Sequence, residues 1–268
     1  MKKILLLGGT GLVGDAIYRK LGKQYEIVRT AGHRKPEHGW KLGIEEIELL
    51  EKVLELENPD IVISSVCGEF QKQMVFHEKI AQWLYGKKKR ILFMSTSNVF
   101  DGDLSKPWTE EDVPVPESDY GIFKRKCECM LQEKLSEQLI IFRLSAVWDR
   151  ECPRLYKLKQ CSCAGEKVHT YPGLSVNITW AEQIGDYADY VLEHELTGVF
   201  HVGSTDCVDY FEFEKAVCGK LGIPVPEFER EELPENSFQA VVSIRRDIPK
   251  CLHMTTEEIL KRLSERDH

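Results

Sequence analysis

The sequence predicts an α/β protein, a doubly wound parallel sheet followed by a small C-terminal α/β lobe. Three observations carry this. Short apolar strands alternate with amphipathic helices from the first residues onward. The stretch Gly8-Gly-Thr-Gly-Leu-Val-Gly14 directly follows the first strand and opens the first helix. After Val147 the alternation loosens, then resumes with one more helix and strand.

Lys3–Leu7 reads as a short buried strand, and Val13, Ala16, Ile17 and Leu21 recur at helical spacing behind it. Tyr25–Arg29 is the second strand. Ile44, Ile47, Leu50 and Leu54 mark a helix, and Asp60–Ser65 a strand after Asn58-Pro59. A helix through Phe76, Ile80 and Trp83 leads to the strand Ile91–Ser95. Pro114 and Pro116 keep the next segment extended, and Ser118 or Asp119 can cap a helix whose buried stripe is Phe123, Cys127, Met130 and Leu131. Leu139–Arg143 is the following strand. Residues 150–177 hold Pro, Gly and Cys without a clear period. Ile184, Ala188 and Val191 then mark a helix, Val199–Val202 a strand, and Phe213, Ala216 and Val217 another helix. Thr255-Thr-Glu-Glu258 is a capping box before a C-terminal helix.

The chain has 268 residues, 42% hydrophobic and 30% charged, as expected of a soluble globular protein. Its net charge of −8 argues against a duplex nucleic-acid partner. The one dense basic run, Lys87-Lys88-Lys89-Arg90, falls between a helix and a strand and reads as a solvated connection. Met1-Lys2-Lys3 and the apolar residues after it imitate a secretory start, but the run breaks into glycines. No stretch reaches the ~18 apolar residues that span a bilayer. Nine cysteines, an odd number, favour reduced thiols in the cytosol. Cys152, Cys161, Cys163 and His169 lack the spacing of a zinc site, so no metal is expected.

Glycines at 8, 11 and 14 allow a tight turn and close approach of a pyrophosphate, whose charge sits at the helix N-terminus. Gly8, Thr10, Gly11, Leu12, Val13 and Gly14 are therefore the candidate dinucleotide cradle. The second strand should end near Ala31, where an acid would select NAD, and none is present. Arg29, His33, Arg34 and Lys35 occupy that neighbourhood and suit a 2′-phosphate, so NADP(H) is preferred with NAD(H) second.

Tyr120 and Lys124 are four residues apart and share one helix face. Free tyrosine has a pKa near ~10, and a lysine beside it would stabilise the phenolate. Bringing the value to about 7 takes roughly 4 kcal/mol of preferential stabilisation. Ser95-Thr96-Ser97-Asn98 follows a strand at the carboxyl edge of the sheet, where a hydroxyl could polarise a carbonyl.

Several stretches together resemble the extended short-chain dehydrogenase/reductase superfamily, whose core is the Rossmann fold. They are Ile4–Gly14, Pro59–Ser64, Ser95–Gly102, Tyr120–Lys124, Arg143–Ser145 and Gly198–Gly203. Val99-Phe100-Asp101-Gly102 is most similar to its dTDP-4-dehydrorhamnose reductase-like branch, which includes the regulatory β subunits of methionine adenosyltransferases. The likeness runs over roughly residues 1–222. It implies a dinucleotide-binding domain over 1–147, joined by returning elements near 178–203, and a mainly substrate-binding lobe over 148–268. It implies that Thr96, Tyr120 and Lys124 form the catalytic set. Tyr120 would donate a proton to a carbonyl, Thr96 would hold that carbonyl, and Lys124 would bind the nicotinamide ribose. Ser65 and Val66, with Cys67, match the segment passing along the cofactor; Ser97, Val99, Phe100 and Ala146 match substrate contacts. Ser97 stands where the branch carries an acid, Ala146 where it often carries Trp, and Lys41 where a polar or acidic residue meets the adenine end.

The expected function is NADP(H)-dependent reduction of a carbonyl on a nucleotide-linked sugar or related compound. Arg150, Arg154, Arg245 and Arg246 are candidates for a substrate diphosphate. An epimerase with retained NAD(P) and an NADP-binding regulatory subunit without turnover are the alternatives. A 4,6-dehydratase is disfavoured because Ser97-Asn98 supplies no acid. A cytoplasmic protein with a small-molecule substrate is expected, a homodimer is allowed, and neither nucleic acid nor membrane is expected as a partner.

Overall fold

Ile4 and Leu6 face one side of the first strand and Leu5 and Leu7 the other, so four apolar residues in a row serve two cores. That pattern can be buried only in the middle of a sheet covered on both faces. The computed structural model, which describes residues 1–231, 233–234 and 236–265, has this arrangement. β1 (Lys3–Leu7), β2 (Glu26–Ala31), β3 (Gly39–Lys41), β4 (Ile61–Ser64), β5 (Arg90–Thr96) and β6 (Leu139–Leu144) are strands of one sheet. Helices α1 (Leu12–Leu21), α2 (Ile47–Glu57), α3 (Phe70–Leu84) and α4 (Asp119–Leu135) connect them.

Beyond β6 come β7 (Ala146–Trp148), α5 (Pro153–Ala164), β8 (Val168–Thr170), β9 (Leu174–Val176), β10 (Ile178–Trp180), α6 (Ala181–Glu193) and β11 (Gly198–Val202). The chain continues through β12 (Val208–Asp209), α7 (Tyr210–Leu221), β13 (Phe228–Arg230), β14 (Ser237–Phe238) and α8 (Thr256–Ser264). The main sheet has seven strands in the order β11-β6-β5-β4-β1-β2-β3, and its pairings are parallel. The fold is the doubly wound one that the alternation predicts. Order reverses between β1 and β4, which opens a crevice at the carboxyl ends of these strands.

One face of the sheet packs on α1 and α6 through Ile17, Leu21, Ile184 and Ala188. The other packs on α2, α3 and α4 through Leu50, Phe76, Ile80 and Leu131. A third core, around Trp148, Leu155, Leu158, Phe213 and Ile259, belongs to the lobe. Thr255 and Glu258 form the expected capping box at the start of α8. Lys87 and Lys89 lie over the Trp83 ring at 3.8 and 5.2 Å, at the connection into β5.

The lobe is more regular than its sequence suggests. α5 occupies part of the stretch without evident period, and its buried stripe is only Leu155, Leu158 and Cys161. β3 is short and half-buried, and only pairing with β2 defines it. The nine cysteines are free thiols. Among the described residues no group of three His, Cys, Asp or Glu could hold a metal. Cys152 instead caps α5 at Leu155 N, and His169 pairs with Glu231 at 3.3 Å. Among the described residues no helix is long and apolar enough to cross a membrane.

Candidate active site

The glycine turn is built by close packing. Gly8 has φ +74°, and a Cβ there would sit 2.7 Å from Ser65 O. A Cβ on Gly14 would come within 2.3 Å of Gly8 O, so helix and turn touch directly. Gly11 differs: a Cβ there meets only Gly8 O, at 3.5 Å. Gly11 is also the N-cap of α1 and provides no side chain for the first-turn N–H groups. The protein's own packing therefore does not require glycine at 11, whereas an anion seated on those N–H groups would.

Thr10 is exposed on this turn, Leu12 packs against the lobe core, and Val13 faces the crevice. β2 ends at Ala31 as expected. Arg29 lies beside the turn with its guanidinium over the Tyr18 ring at 3.7 Å and 3.7 Å from Asp15. His33 and Arg34 are exposed in the loop that follows. Lys41 is exposed at the end of β3, paired with Ala31.

A cleft of about 720 Å³ extends from Val13 and Ser65, beside this turn, toward the lobe, and Val13 is the cradle residue that lines it. Ser65 and Val66, just past β4, form part of its floor, and Ser65 Oγ donates to Leu7 O at 2.9 Å. Thr96 ends β5 and caps the following single turn: Asn98 N donates to Thr96 Oγ1 at 3.2 Å. Ser118 caps α4, accepting from Gly121 N at 3.0 Å. Asp101 braces that cap, accepting from Glu117 N at 2.7 Å and from the Ser118 hydroxyl. A Cβ on Gly121 would lie 2.2 Å from Asn98 O. This close approach seats the first turn of α4 on the Thr96 turn, and Thr96, Tyr120 and Lys124 all line the cleft.

Lys124 Nζ donates to Met94 O at 2.9 Å and sits 5.9 Å from the centroid of the Tyr120 ring. Burial pushes the Lys124 pKa down, with Cys127, Cys67 and Glu128 opposing. The Tyr120 phenol is raised, first by desolvation between the cleft walls and then by Cys67, while Thr96 and Arg154 act in the other direction. Its side chain is 39% exposed and lines the cleft. The spacing argument expected lysine to lower this phenol. Here desolvation of the phenol is the larger effect, and Lys124 Nζ lies 5.9 Å from the ring centroid, bonded to Met94 O.

Behind α4, Glu128 accepts from Ser95 Oγ at 2.6 Å, Arg143 Nη2 at 2.9 Å and Arg143 Nε at 3.0 Å. These charge-assisted bonds hold its carboxyl below the ordinary range against desolvation, which is the largest effect and acts upward. They fix α4 to β5 and β6 directly beneath Lys124.

Of the expected substrate contacts, Ser97 and Ala146 line the cleft. Val99 and Phe100 do not. Both are buried, at 0% and 2%, in a small cluster where Phe100 stacks on Trp108 at 5.1 Å. Among the four candidate arginines only Arg154 reaches the cleft. Arg150 donates to Arg262 O, and Arg245 stacks on Phe200 at 3.7 Å while pairing with Asp247.

Apart from Arg154, the opposite wall was not legible in the sequence. Tyr210 and Glu214 on α7 face the cleft together with Arg154 and Lys157 of α5. The four-residue spacing of Tyr210 and Glu214 is the same helical signal that singled out Tyr120 and Lys124.

A glycine turn at a topological switch point, with a tyrosine and lysine beside it, defines a protein of the dinucleotide-binding doubly wound class. Residues 69–263 match the RmlD substrate binding domain family, and the chain belongs to that family. It is 23% identical over 237 residues to a probable low-salt glycan biosynthesis reductase of Haloferax volcanii, covering 80% of this chain and 79% of the relative. It is also 23% identical over 256 residues to dTDP-4-dehydrorhamnose reductase of Escherichia coli, covering 88% and 84%. The crystal structure of dTDP-4-dehydrorhamnose reductase from Bacillus anthracis in complex with NADP superposes with a TM-score of 0.77 at 17% identity, over 98% of both chains.

Proposed function

We propose that this protein is an NADP(H)-dependent reductase acting on a carbonyl of a nucleotide-linked sugar. The observation that carries this reading is the meeting of Thr96, Tyr120 and Lys124 in the cleft that begins at the glycine turn. Membership in a family whose relatives are named as sugar-nucleotide and glycan reductases supports it. NADP in the Bacillus anthracis neighbour supports the cofactor preference.

In this reading the turn residues Gly8, Thr10, Gly11, Leu12, Val13 and Gly14 carry the pyrophosphate on the N-terminus of α1. Arg29, His33 and Arg34 serve a 2′-phosphate. Ser65 and Val66 pass along the dinucleotide, and residues 1–147 with the returning β11 form its domain while 148–268 mainly cover the substrate. When bound, the nicotinamide supplies hydride to the carbonyl carbon. Thr96 holds the carbonyl oxygen and Tyr120 donates the proton to it. The raised phenol keeps that proton at neutral pH, as a donor requires. Lys124, tied to Met94 O, holds the ribose and balances the phenolate after transfer. Ser97 and Ala146 border the sugar. The reduced cysteines accord with a cytoplasmic setting.

Ser97 and Ala146, standing where the branch carries an acid and often Trp, favour a second reading, an NADP-binding regulatory subunit without turnover. Absorbance of NADPH, followed with a panel of nucleoside-diphosphate 4-keto sugars, separates the two. Consumption that vanishes in Tyr120→Phe supports the reductase; binding without consumption for any ketone supports the regulator. Gly11→Ala tests the cofactor site separately. An Ala fits the protein at 3.5 Å, so the melting temperature without ligand should hold while the rise caused by NADPH is lost.

A further inference from the structure

The lobe wall of the cleft contains a buried acid that the reaction above does not use. Glu214 is 5% exposed, and its Oε2 accepts a 2.7 Å hydrogen bond from Thr170 Oγ1, itself fully buried on β8. Among the described residues no cation lies within ion-pair distance of this carboxyl, and its other oxygen has no donor. Burying such a group without an ion pair is costly, and a tie between α7 and β8 would not need an acid facing a cleft. Tyr210, one turn earlier, lines the same wall, and Arg154 stands close enough to act on Tyr120, Tyr210 and Glu214 together. Arg154 and Lys157, three residues apart on α5, are cleft-lining cations between the two ends.

We propose that Glu214 is a specificity-determining residue whose open oxygen hydrogen-bonds a hydroxyl or ring N–H of a nucleoside-diphosphate sugar, with the diphosphate against Arg154 and Lys157. This rests on the reading of the cleft as a nucleotide-sugar site and assigns its lobe end. Oxygen ligands of a neutral group suit a carboxylic acid, which can both donate and accept; an ionised carboxylate beside a diphosphate would repel it.

The groups facing Glu214 fit this. Burial raises its pKa to about 7, while the Thr170 hydroxyl, Arg154 and Lys157 pull it down. Burial pushes Tyr210 up to about 12, so that phenol stays neutral throughout. Cys218, further along α7, is also pushed up. His169, next to Thr170 on β8, also lines the cleft and pairs with Glu231 at 3.3 Å. Comparison with Glu214→Gln separates the carboxyl from this imidazole.

The test is calorimetric binding of UDP-glucose and dTDP-glucose between pH 6 and 8.5, with NADPH saturating. Neither sugar carries a phosphate monoester, so neither titrates in that window. Wild-type affinity should fall about 10-fold or more as pH rises through 7, since one proton is lost on the binding wall. Glu214→Gln, neutral at every pH, should give a flat profile and bind more tightly than wild type at pH 8.5. Thr170→Val, which removes the donor that lowers the carboxyl, should move the wild-type step to higher pH. Parallel profiles in wild type and Glu214→Gln, or an unmoved step in Thr170→Val, would overturn the assignment while leaving the nucleotide-sugar reading intact. Wild type that binds NADPH but neither sugar at any pH would overturn both.

Discussion

Two helices face each other across one cleft, and each presents a tyrosine with an ionisable side chain one turn later. On α4 the pair is Tyr120 and Lys124; on α7 it is Tyr210 and Glu214. Burial suppresses charge in both, lowering the lysine and raising the acid and the two phenols. The difference lies in what backs each pair. Below Lys124 the buried Glu128–Arg143 ion pair fastens α4 to the sheet. Behind Glu214 there is one hydroxyl, that of Thr170. The first wall is fastened by a buried ion pair, the second by a single hydroxyl, as a fixed chemical step and a variable ligand under the proposed function would require.

That contrast can be broken at its strongest point. Glu128→Ala leaves Arg143 buried without its carboxylate, and urea unfolding should report a loss of about 3–5 kcal/mol. Glu214→Gln keeps an acceptor for Thr170 and should cost less than about 1.5 kcal/mol. Equal losses would mean that the two walls are not supported differently.

Next in size is the chemistry. Tyr120→Phe should lower turnover about 100-fold or more, the usual yield of a positioned proton donor. Retention of a tenth or more of the activity would remove this phenol from the reaction.

The acid supplies a stability signature of intermediate size. The folded Glu214 holds its proton up to about 7, above its ordinary value of 4.5. Between these values the folded protein binds a proton that the unfolded chain has released. This contribution to stability is present below the ordinary value and is lost as pH rises through the folded one. Unfolding midpoints of Glu214→Gln and wild type should therefore lie together at low pH and separate as pH rises through 7, where wild type loses stability and the Gln variant does not. An identical pH trend in the two proteins would contradict the shift.

The smallest effect concerns the caps. Ser118→Ala removes the acceptor at Gly121 N and should lower stability by about 1 kcal/mol, read as a lower melting temperature. Thr255→Ala at the start of α8 should cost a similar amount without altering turnover, since no residue of that helix lines the cleft. A drop in turnover in Ser118→Ala alone would show that the cap also aims Tyr120.

The alternation of strands and helices, the glycine turn and the Tyr120–Lys124 spacing were legible because backbone geometry repeats them along the chain. Strand faces alternate and helix faces return every turn, so Ile4, Leu5, Leu6 and Leu7 declare a buried central strand before any partner is known. Ser118 and the Thr255–Glu258 box were legible for the same local reason. The lobe was less so: β8, β9 and β13 are three residues each, too short to establish a period, and α5 buries a cysteine in its stripe. Val99 and Phe100 look like substrate contacts beside Thr96, but a single tight turn directs them into a core against Trp108.

Charge state was the other thing that neighbours in sequence could not fix. Tyr120 and Lys124 are adjacent on their helix, yet burial by the surrounding elements shifts both first, with Cys67 acting on both and Arg154 on the phenol. Glu214 is an unremarkable helical acid until α5 and β8 close over it. Local periodicity determined which elements form and which faces they bury. Desolvation and the company of distant groups, which exist only once the chain is folded, decided which side chains carry charge and which end of the cleft each one serves.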